Sequence, residues 1–490
     1  MAAVQSLAFK HATSNGYVHA YRSGSVVALY NSLNLNAAFI QDVPEDAMDI
    51  CSYDCVTPAE AERLHELGLD LRSGWHGATE LINGLQARAV SEGITTVYFI
   101  PAMACNYRCK YCEFIQEFPE TTNYQKMTTG QARELVNAFY RMSAAASPRS
   151  RDFVFFGGEP FMAADIIQDV LKYIRDERGD QDINITTFTN GSLITDEIAA
   201  TCARYNVYAI VSMDGPAEVN DLGRVDLNYN PSTQRTIRGY RKLQDAGCRM
   251  GISIMVGRHN VDSLAQSVRW LIDELKPDEI GIAGVFHPLK RQKNPFQAEA
   301  DRVISALVET YIACREKGVY VDQVARRMRP FVSMRPKLKD CMACGGKVTA
   351  TPWGMEGHCE YIAYSKGAAA RDLVQLDIAG NDDESWNRRA PVLKMDCQNC
   401  PALGVCGGGC PFNAFQLHGN LDALDEENCD QTRLLLAWML ADLFKVCQRT
   451  SGPDTPTVLF PTATDREALF GNIDPNNESL PLKGVSRHGE

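Results

Sequence analysis

The sequence predicts an α/β fold: a parallel sheet rolled into a complete or partial six-unit barrel and covered by helices. Three observations lead to this prediction. Short apolar strands alternate six times with amphipathic helices between residues 97 and 317, a small strand-rich segment precedes them, and a cysteine-rich segment follows. Repeated strand–helix units place parallel strands side by side with helices on the face of the sheet. A chain of 490 residues is long enough for about two to four domains.

The barrel is predicted from six apolar runs that are rich in β-branched and aromatic residues. The runs are VYFIPAM (97–103), DFVFF (152–156), INITTFT (183–189), VYAIVSM (207–213), RMGISIMV (249–256) and EIGIAGVF (279–286). The segments between them show the apolar period of helices, as in residues 128–146 and 232–247. In barrels of this type the functional residues lie at the carboxyl ends of the strands. We therefore expect the site in the loops that follow the first strands.

Four segments are predicted along the chain. They are a small N-terminal α+β domain, the barrel, a cysteine-rich domain that ends in a helix, and a tail, with the boundaries 1–92, 93–325, 335–447 and 448–490. Within the first segment, residues 17–40 are predicted as strands and residues 57–70 as a helix capped by Thr57. The turn-rich composition of the tail predicts partial disorder.

The charge and hydropathy of the chain exclude several classes of protein. The formal net charge is −12 and no run of basic residues occurs, which argues against binding to nucleic acid or to an anionic membrane. The chain contains no apolar stretch of about 18 residues and no signal-peptide pattern. We therefore expect a cytoplasmic protein without a membrane span.

Cysteine is unusually frequent, with 17 residues. In a reducing compartment, clustered cysteines bind metals or do redox chemistry more often than they form disulfides. Three of these cysteines lie in residues 105–112 and eight lie in residues 341–429. The other six are expected to be buried small apolar residues. These six are Cys51, Cys55, Cys202, Cys248, Cys314 and Cys447.

The stretch MACNYRCKYCEF holds Cys105, Cys109 and Cys112 in a C-x3-C-x2-C spacing. A [4Fe–4S] cluster takes one thiolate per iron, so three cysteines leave its fourth iron open to another ligand. A structural zinc site is the alternative, but such sites normally use four ligands. The nearest histidines along the chain, His76 and His259, are far from the triplet in sequence, which disfavours zinc.

A glycine-rich turn follows the second predicted strand, one strand–helix unit after the triplet. Its residues are Gly157, Gly158, Glu159 and Pro160. Together with the triplet, this turn closely resembles the motifs of the radical SAM superfamily. The resemblance implies that the open iron binds the amino and carboxylate groups of S-adenosylmethionine and that the turn meets the methionyl end of that cofactor. Glycine suits such a turn because it lets backbone approach a ligand. An ordinary turn before a helix is the alternative.

The same resemblance implies further cofactor-binding residues. Ser212 in the stretch SMDG and Arg224 match positions that hold the ribose and the cofactor carboxylate, and the forked guanidinium suits a carboxylate. Tyr111 matches an aromatic residue near the adenine, and residues near Val256 would form the apolar wall of that site. One departure from the family is Phe156, which stands before the glycines where many relatives have a polar residue.

Eight further cysteines follow the barrel with a regular spacing. They are Cys341, Cys344, Cys359, Cys397, Cys400, Cys406, Cys410 and Cys429. The pattern C-x9-G-x4-C, with Gly354 as its glycine, precedes C-x2-C-x5-C-x3-C. This pattern resembles the SPASM domain of radical SAM enzymes that modify peptides and proteins. A pair of zinc ribbons is the alternative, because C-x2-C pairs are common in them.

The resemblance implies three [4Fe–4S] clusters, one that binds S-adenosylmethionine and two that are auxiliary. The first auxiliary cluster would use Cys341, Cys344, Cys359 and Cys410. The second would use Cys397, Cys400, Cys406 and Cys429. Eleven motif cysteines then leave one of about twelve iron corners without a thiolate. Cys341 is the least firmly assigned ligand because its spacing to Cys344 is short, and without it the first auxiliary cluster would have an open position.

The resemblance implies an enzyme that reductively cleaves S-adenosylmethionine to a 5′-deoxyadenosyl radical. We expect the radical to remove a hydrogen atom from a ribosomally made precursor peptide and so form a cross-link, with the N-terminal domain binding a leader peptide. A flavodoxin- or ferredoxin-type protein would donate the electron. Glu360, next to Cys359, is a candidate general base, although a solvent-exposed glutamate is the simpler interpretation. A sulfatase maturase that forms formylglycine and a non-catalytic iron–sulfur sensor are the alternative functions.

Overall fold

The computed structural model describes residues 9–44, 56–73, 75, 77–89, 93–112, 125–144, 151–285, 294–364, 386–451 and 456–473. Its N-terminal part is an antiparallel sheet followed by two helices. The strands are β1 (Lys10–Asn15), β2 (Val18–Ser23), β3 (Val26–Asn31) and β4 (Ala37–Ile40), and the helices are α1 (Pro58–Glu66) and α2 (Ala78–Ala89). Thr57 caps α1 as predicted, and Glu60 completes a reciprocal capping box with it.

A nine-stranded sheet forms the centre of the molecule, and its six middle strands are the predicted ones. They are β5 (Thr96–Phe99), β6 (Asp152–Phe155), β7 (Asn184–Thr189), β8 (Val207–Ser212), β9 (Met250–Val256) and β10 (Glu279–Gly284). These six strands are parallel and lie side by side in chain order. The predicted α/β fold with a parallel sheet is confirmed. Residue 286, the last of the sixth predicted run, lies outside the described residues.

Helices cover one face of this sheet. They are α3 (Thr129–Ser143), α4 (Ala164–Lys172), α5 (Asp196–Arg204), α6 (Ala217–Gly223), α7 (Thr233–Asp245) and α8 (Leu264–Leu275). Alternate strand residues point to opposite faces of a sheet. On β9, Ile252 and Ile254 point to the helices and share a buried core with Leu264 and Val268 of α8. The loops at the carboxyl ends of the strands are therefore held by a packed layer of helices.

Both edges of the sheet extend beyond the six predicted strands. At one edge, α9 (Ala300–Lys317) leads to β11 (Tyr320–Val321), which is parallel to β10, and then to α10 (Asp322–Ser333). At the other edge, β12 (Lys347–Thr351) is parallel to β5 and turns back into β13 (Gly354–Met355). The cysteine-rich segment thus contributes strands to the barrel sheet, which the sequence did not predict.

The remaining elements belong to the cysteine-rich segment and the tail. They are α11 (Glu360–Tyr364), α12 (Leu403–Cys406), α13 (Pro411–His418), α14 (Glu426–Ser451), β14 (Val458–Leu459) and α15 (Ala463–Glu467). The described part of the tail is packed, because β14 pairs with β4 and completes the N-terminal sheet. α14 also runs through the boundary predicted at residue 448. Partial disorder was predicted for the tail from residue 451, and residues 452–455 and 474–490 of it lie outside the described residues.

Aromatic contacts attach the N-terminal sheet to the rest of the molecule. The ring of Phe39 lies 5.3 Å from that of Phe444 on α14, and Phe9 approaches the same ring edge-on at 6.3 Å. Tyr30 packs against Phe331 of α10 at 5.8 Å. Such aromatic pairs stabilise a contact by more than the burial of their apolar area alone. The N-terminal sheet is therefore docked on α10 and α14.

Four cysteines outside the motifs have the packing role predicted for them. Cys202, Cys314 and Cys447 are buried in the core, and Cys248 is half-buried against it. Cys51 and Cys55 lie outside the described residues. Among the helices that the structure describes, none has the length and apolar composition needed to cross a bilayer.

A chain of hydrogen bonds leads from the edge strand β1 into the N-terminal sheet. The hydroxyl of Ser32 lies 3.4 Å from the carbonyl of Tyr17, to which it donates, so it accepts from Nε2 of His19 at 3.2 Å. Nδ1 of His19 then accepts from Nε2 of His11 at 3.3 Å. Every polar atom of the His19 ring is used, and the ring is fully buried. Neutral His19 is therefore the form that this packing requires.

Acidification is expected to loosen the N-terminal sheet. Burial, together with His11, lowers the pKa of His19 to about 3, whereas an unfolded histidine titrates near 6.5. Because the folded pKa is the lower one, this contribution to stability is complete above about pH 6.5 and is lost as the pH falls toward 3. The expected loss between pH 7 and pH 5 is roughly 2 kcal/mol. Hydrogen exchange of the β2 and β3 amides at both pH values measures it, and a His19→Gln variant with an unchanged pH dependence would contradict it.

Candidate functional site

The cysteine triplet lies in the loop that follows β5. The loop is held against the segment after β8, because the amide of Arg108 donates to the carbonyl of Val225 and that of Lys110 to the carbonyl of Gly223, both at 2.8 Å. All three cysteines are half-buried. Burial raises the pKa of Cys105, and the thiols of Cys109 and Cys112 raise it further. The structure thus brings the three predicted thiols together at the carboxyl edge of the sheet.

The glycine-rich turn after β6 lies directly against the triplet loop. The amide of Glu159 donates to the carbonyl of Ala104 at 2.9 Å. A Cβ atom added to Gly158 would lie 2.3 Å from that carbonyl oxygen and 2.9 Å from Cβ of Cys105. Gly157 has φ +132°, a conformation that L side chains rarely adopt. The close approach of the turn to the loop therefore requires glycine at position 158, and the backbone conformation favours glycine at position 157.

The carboxylate of Glu159 is directed into the protein. It accepts from the hydroxyl of Thr189 at 2.7 Å and from the amides of Asn190 at 2.7 Å and Phe161 at 3.2 Å. These bonds tie the turn to the end of β7. A contact between the cofactor and the backbone of this turn therefore fits the observed geometry better than a contact between the cofactor and the Glu159 carboxylate.

Replacing Gly158 with alanine is expected to remove the iron bound by the triplet. The new methyl group would meet backbone and Cβ atoms closer than 3.0 Å, so the cysteine loop must move. With the three predicted clusters, the expected result is loss of roughly one third of the bound iron, about four of twelve atoms, with the rest retained. Iron analysis of the purified chain measures this. Gly84→Ala in α2, where nothing lies within 4 Å, is the matched control and should keep all its iron.

A buried polar cluster fills the space behind the triplet. Asp214 is its centre: one oxygen is 3.0 Å from Nη2 of Arg224, and the other accepts from the hydroxyl of Tyr111 at 2.7 Å. The amide of Met255 also donates to Asp214, at 3.0 Å. Burial alone would raise the pKa of Asp214, but Arg224, with His259 and the Met255 amide, lowers it to about 2. The carboxylate is therefore ionised and fixed by three elements.

His259 completes this cluster, although it follows β9 and is distant from the triplet in sequence. Its ring stacks on Tyr111 at 5.3 Å, and Nε2 lies 3.7 Å from an oxygen of Asp214, too far for a hydrogen bond. Only 5% of the side chain is exposed. Sequence reasoning missed both His259 and Asp214. The aspartate within SMDG was a signal for the second, and no sequence signal indicated the first.

Unpartnered polar atoms test whether this site fits S-adenosylmethionine. Nε of Arg224 and both ring nitrogens of His259 are buried, and within the described part of the chain they have no hydrogen-bond partner. Buried polar groups without partners are rare, and they mark places where a ligand or water completes the bonding. Guanidinium and imidazole groups are suitable partners for a carboxylate and for ribose or adenine atoms. The residues present therefore fit the cofactor.

The other predicted cofactor residues lie at the same edge of the sheet. Ser212 is the last residue of β8 and is half-buried opposite Ser253 of β9. Val256 ends β9, but its side chain belongs to the core under the helices. The neighbouring Met255 is half-buried and points to the opposite face. An apolar wall at the end of β9 would therefore include Met255 more directly than Val256.

The eight later cysteines form two spatial groups, which we call the first and second auxiliary groups. The first holds Cys341, Cys344, Cys359 and Cys410. Burial raises the pKa of Cys410, as do the thiols of Cys341 and Cys359, and burial and Cys341 raise that of Cys344. Cys341 and Cys410 also pack on the core cluster that contains Cys359. Cys341, the least firmly assigned ligand, thus lies with the other three.

The second auxiliary group holds Cys397, Cys400, Cys406 and Cys429. Burial raises the pKa of Cys429 to about 12, together with the thiols of Cys406, Cys400 and Cys397. Among the described residues, no three Cys, His, Asp or Glu side chains are close enough to hold a single metal ion. Thiolates of a cubane each bind a different iron, so they stand farther apart than the ligands of one ion. The assignment of these two groups to two iron–sulfur clusters stays a prediction.

Glu360 is buried rather than exposed, with 7% of its surface accessible. Its carboxylate forms an ion pair with Lys347 on β12. Nζ of Lys347 lies 4.1 Å from the centre of the Tyr98 ring. Burial alone would lower the pKa of Lys347, but Glu360, with the Cys341 thiol, raises it. The candidate base is thus one half of a buried ion pair beside the first auxiliary group.

Comparison with known proteins supports the sequence-based interpretation. Residues 99–271 match the Radical SAM superfamily. The chain is 24% identical over 361 residues to the radical SAM cyclopropyl synthase TigE of Paramaledivibacter caminithermalis, covering 70% of this chain and 74% of that protein. It is 23% identical over 323 residues to the serine-type anaerobic sulfatase-maturating enzyme of Klebsiella aerogenes, covering 63% and 77%.

Two solved structures share the fold. The first is anSMEcpe with bound AdoMet, with a TM-score of 0.59 and 16% identity over 72% of this chain and 95% of that one. The second is Streptococcus suis SuiB bound to precursor peptide SuiA, with a TM-score of 0.50 and 16% identity over 83% and 99%. The predicted radical SAM domain is confirmed for residues 99–271, and the similar proteins include a radical SAM cyclopropyl synthase and a sulfatase-maturating enzyme.

Proposed function

Because residues 99–271 form a radical SAM domain in an enzyme related to peptide-modifying proteins, we propose that the chain modifies a ribosomally made precursor peptide. The observation that carries the proposal is the site at the carboxyl edge of the sheet, where the cysteine triplet, Gly158 and the Arg224–Asp214 pair meet. S-adenosylmethionine held there would supply the radical chemistry that removes a hydrogen atom from a substrate carbon.

The chain's own residues would bind and orient the reactants. Cys105, Cys109 and Cys112 would hold a [4Fe–4S] cluster with one open iron. Arg224, fixed by Asp214, would orient the cofactor carboxylate through its free Nε. Tyr111, stacked on His259, would form the floor of the adenine site. The helices and the triplet loop would keep water from the reacting atoms.

A cross-link requires a place for the electron left on the substrate. Joining two substrate atoms removes two hydrogens: one leaves as a hydrogen atom with 5′-deoxyadenosine, and the other leaves as a proton together with one electron. The two auxiliary groups would hold two further [4Fe–4S] clusters that accept this electron. A flavodoxin- or ferredoxin-type protein would deliver the electron that starts the reaction.

The N-terminal sheet is our candidate for binding the leader part of the peptide. Within the described part of the chain, β1 is an edge strand that pairs with β2 alone, and all six of its residues are exposed. An unpaired strand edge can add a peptide strand through main-chain hydrogen bonds. The SuiB structure that shares this fold contains a bound precursor peptide. A docked sheet of this kind would hold one end of the substrate while the other reaches the barrel.

Incubation of the reduced enzyme with S-adenosylmethionine and a precursor encoded beside it tests the proposal. The expected product has lost two hydrogen atoms, and fragmentation by mass spectrometry identifies whether the new bond joins two residues or closes a ring within one. A sulfatase peptide converted to formylglycine would favour the maturase alternative. Absence of 5′-deoxyadenosine after reduction would favour the sensor alternative and overturn the proposal.

A second experiment tests Glu360 as the general base for the departing proton. Glu360→Gln is expected to lower product formation about 10²–10⁴-fold while 5′-deoxyadenosine still forms. The single variant leaves the buried Lys347 charge unpaired, which is costly in itself. The double variant Glu360→Gln/Lys347→Met removes both charges and serves as the control. Recovery of product in the double variant would assign Glu360 a structural role.

A further inference from the structure

A short segment connects the two auxiliary groups. Cys406 belongs to the second group and Cys410 to the first, and three glycines separate them. Two donors point at the sulfur of Cys406: the amide of Gly408 at 3.4 Å and Nδ2 of Asn428 at 3.2 Å. Asn428 lies in the first turn of α14. This sulfur thus has a side-chain hydrogen bond from outside the cysteine motif.

A buried arginine stands behind Asn428. Nη2 of Arg327, on α10, donates to Oδ1 of Asn428 at 2.7 Å. The guanidinium is also fixed by Thr432, whose hydroxyl accepts from Nε at 3.3 Å, and by the Gln323 carbonyl, which accepts from Nη1 at 3.2 Å. A hydrogen bond from a cation polarises the amide and strengthens the bond that the amide itself donates. Arginine keeps its charge at any physiological pH.

The charge of Arg327 lies within a buried network of cations and carboxylates. Its nearest carboxylate is Asp340, 3.8 Å from Nη2. Asp340 is itself engaged by Nζ of Lys337 at 2.5 Å and lies 3.5 Å from Arg326. The amide of Asp340 donates to the carbonyl of Gly407, next to Cys406. Three cations thus share this carboxylate, and Arg326 also pairs with Asp322 at 3.7 Å. Arg327 therefore acts on Cys406 mainly through the hydrogen bond that it donates to Asn428.

We propose that Arg327 and Asn428 act as a pair to raise the reduction potential of the cluster held by the second auxiliary group. The proposal rests on the proposed function in one respect, namely that Cys397, Cys400, Cys406 and Cys429 bind a [4Fe–4S] cluster. Hydrogen bonds to cluster sulfurs and nearby positive charge both stabilise the reduced, more negative state. The pair touches no reactant, so its role is one of positioning and electrostatics.

The test uses the full chain with Cys105, Cys109 and Cys112 changed to alanine, so that only the auxiliary groups bind iron. Midpoint potentials are read by electron paramagnetic resonance during a redox titration. Asn428→Ala is expected to lower one of the two midpoint potentials by about 59 mV. For a one-electron couple, this shift changes the ratio of reduced to oxidised cluster about tenfold at a fixed potential. The other midpoint is expected to stay unchanged, because Asn428 contacts a sulfur of the second group only.

Two further variants make the outcome decisive. Arg327→Gln removes the charge and keeps the Asn428 amide, so the same midpoint should fall by a smaller shift. Gln431→Ala is the matched control, because Gln431 lies one turn along α14 and lines a cavity together with Arg327 and Asn428. Its side-chain amide donates to Glu427 instead of to sulfur. Its midpoints should equal those of the parent.

Unchanged midpoints in Asn428→Ala would overturn the proposal. If Asn428→Ala loses iron, Arg327→Gln decides, and an unshifted midpoint in that variant overturns the proposal as well. Failure of the cluster assignment can be told apart from failure of this proposal by metal analysis of the parent, which comes first. The parent should give about eight iron atoms. A parent that holds zinc instead removes the cluster assignment and this proposal together.

Discussion

Replacing Cys109 with alanine is expected to abolish formation of 5′-deoxyadenosine. Burial raises the pKa of the Cys109 thiol, and the neighbouring Arg224 guanidinium partly offsets this effect. Loss of one of three thiolates leaves two ligands for the cluster, too few to retain it. If the two auxiliary groups hold the proposed clusters, bound iron should fall by roughly one third, about four of twelve atoms, while these groups keep theirs. Chromatographic assay of 5′-deoxyadenosine and iron analysis of the same sample measure both effects.

The control for this variant is Cys248→Ala. Cys248 is half-buried in the barrel, away from all three cysteine sets, and its thiol contacts the carbonyl of Ala199 at 3.6 Å. Iron content and turnover should remain those of the parent. Turnover that survives in Cys109→Ala would show that the triplet is not the place where S-adenosylmethionine is cleaved.

Replacing Asp214 with asparagine is expected to destabilise the barrel by about 3–5 kcal/mol, the usual cost of leaving a buried charge without its partner. The partner here is Arg224, which is 8% exposed, and the asparagine has the same shape but no charge. The free Arg224 side chain should also lose its fixed direction, and affinity for S-adenosylmethionine should fall. Urea unfolding gives the first quantity and equilibrium dialysis with labelled cofactor gives the second.

An exposed ion pair supplies the matched control for Asp214. Asp262 pairs with Arg302 at 2.6 Å, but 79% and 45% of their side chains are exposed. Asp262→Asn should change the free energy of unfolding by only about 0–1 kcal/mol and leave cofactor affinity unchanged. Equal stability of the two variants would mean that Arg224 does not depend on Asp214.

The sequence predicted those parts of the fold that depend on local pattern. The six parallel strands, the helix capped by Thr57 and the long C-terminal helix each follow from apolar period and capping chemistry within one segment. The pairing of β12 with β5 and of β14 with β4 joins residues that are about 250 and 420 positions apart. Two-residue and five-residue strands carry too little pattern to predict such partners.

The same contrast applies to the site. The triplet and the eight later cysteines could be identified because ligand spacing on a loop is a local property. The role of His259 was not predictable, since its contact with Tyr111 depends on how β9 lies beside β8. The hydrogen bond from Asn428 to Cys406 likewise needs α14 to pass the glycine segment. Residues that support a site from another element have no sequence signal until the fold is known.

The parallel pairing of β12 with β5 fixes a length as well as a topology. The register runs from Lys347 opposite Thr96 to Ala350 opposite Phe99. The triplet loop leaves one end of this ladder, and Cys344 enters at the other, so the ladder separates the two by about 10 Å of rise. Interdomain motion cannot change this separation without breaking main-chain hydrogen bonds. The sheet edge therefore holds the triplet and the first auxiliary group at a fixed separation. Electron exchange between clusters bound at these two sites would then take place over a constant distance.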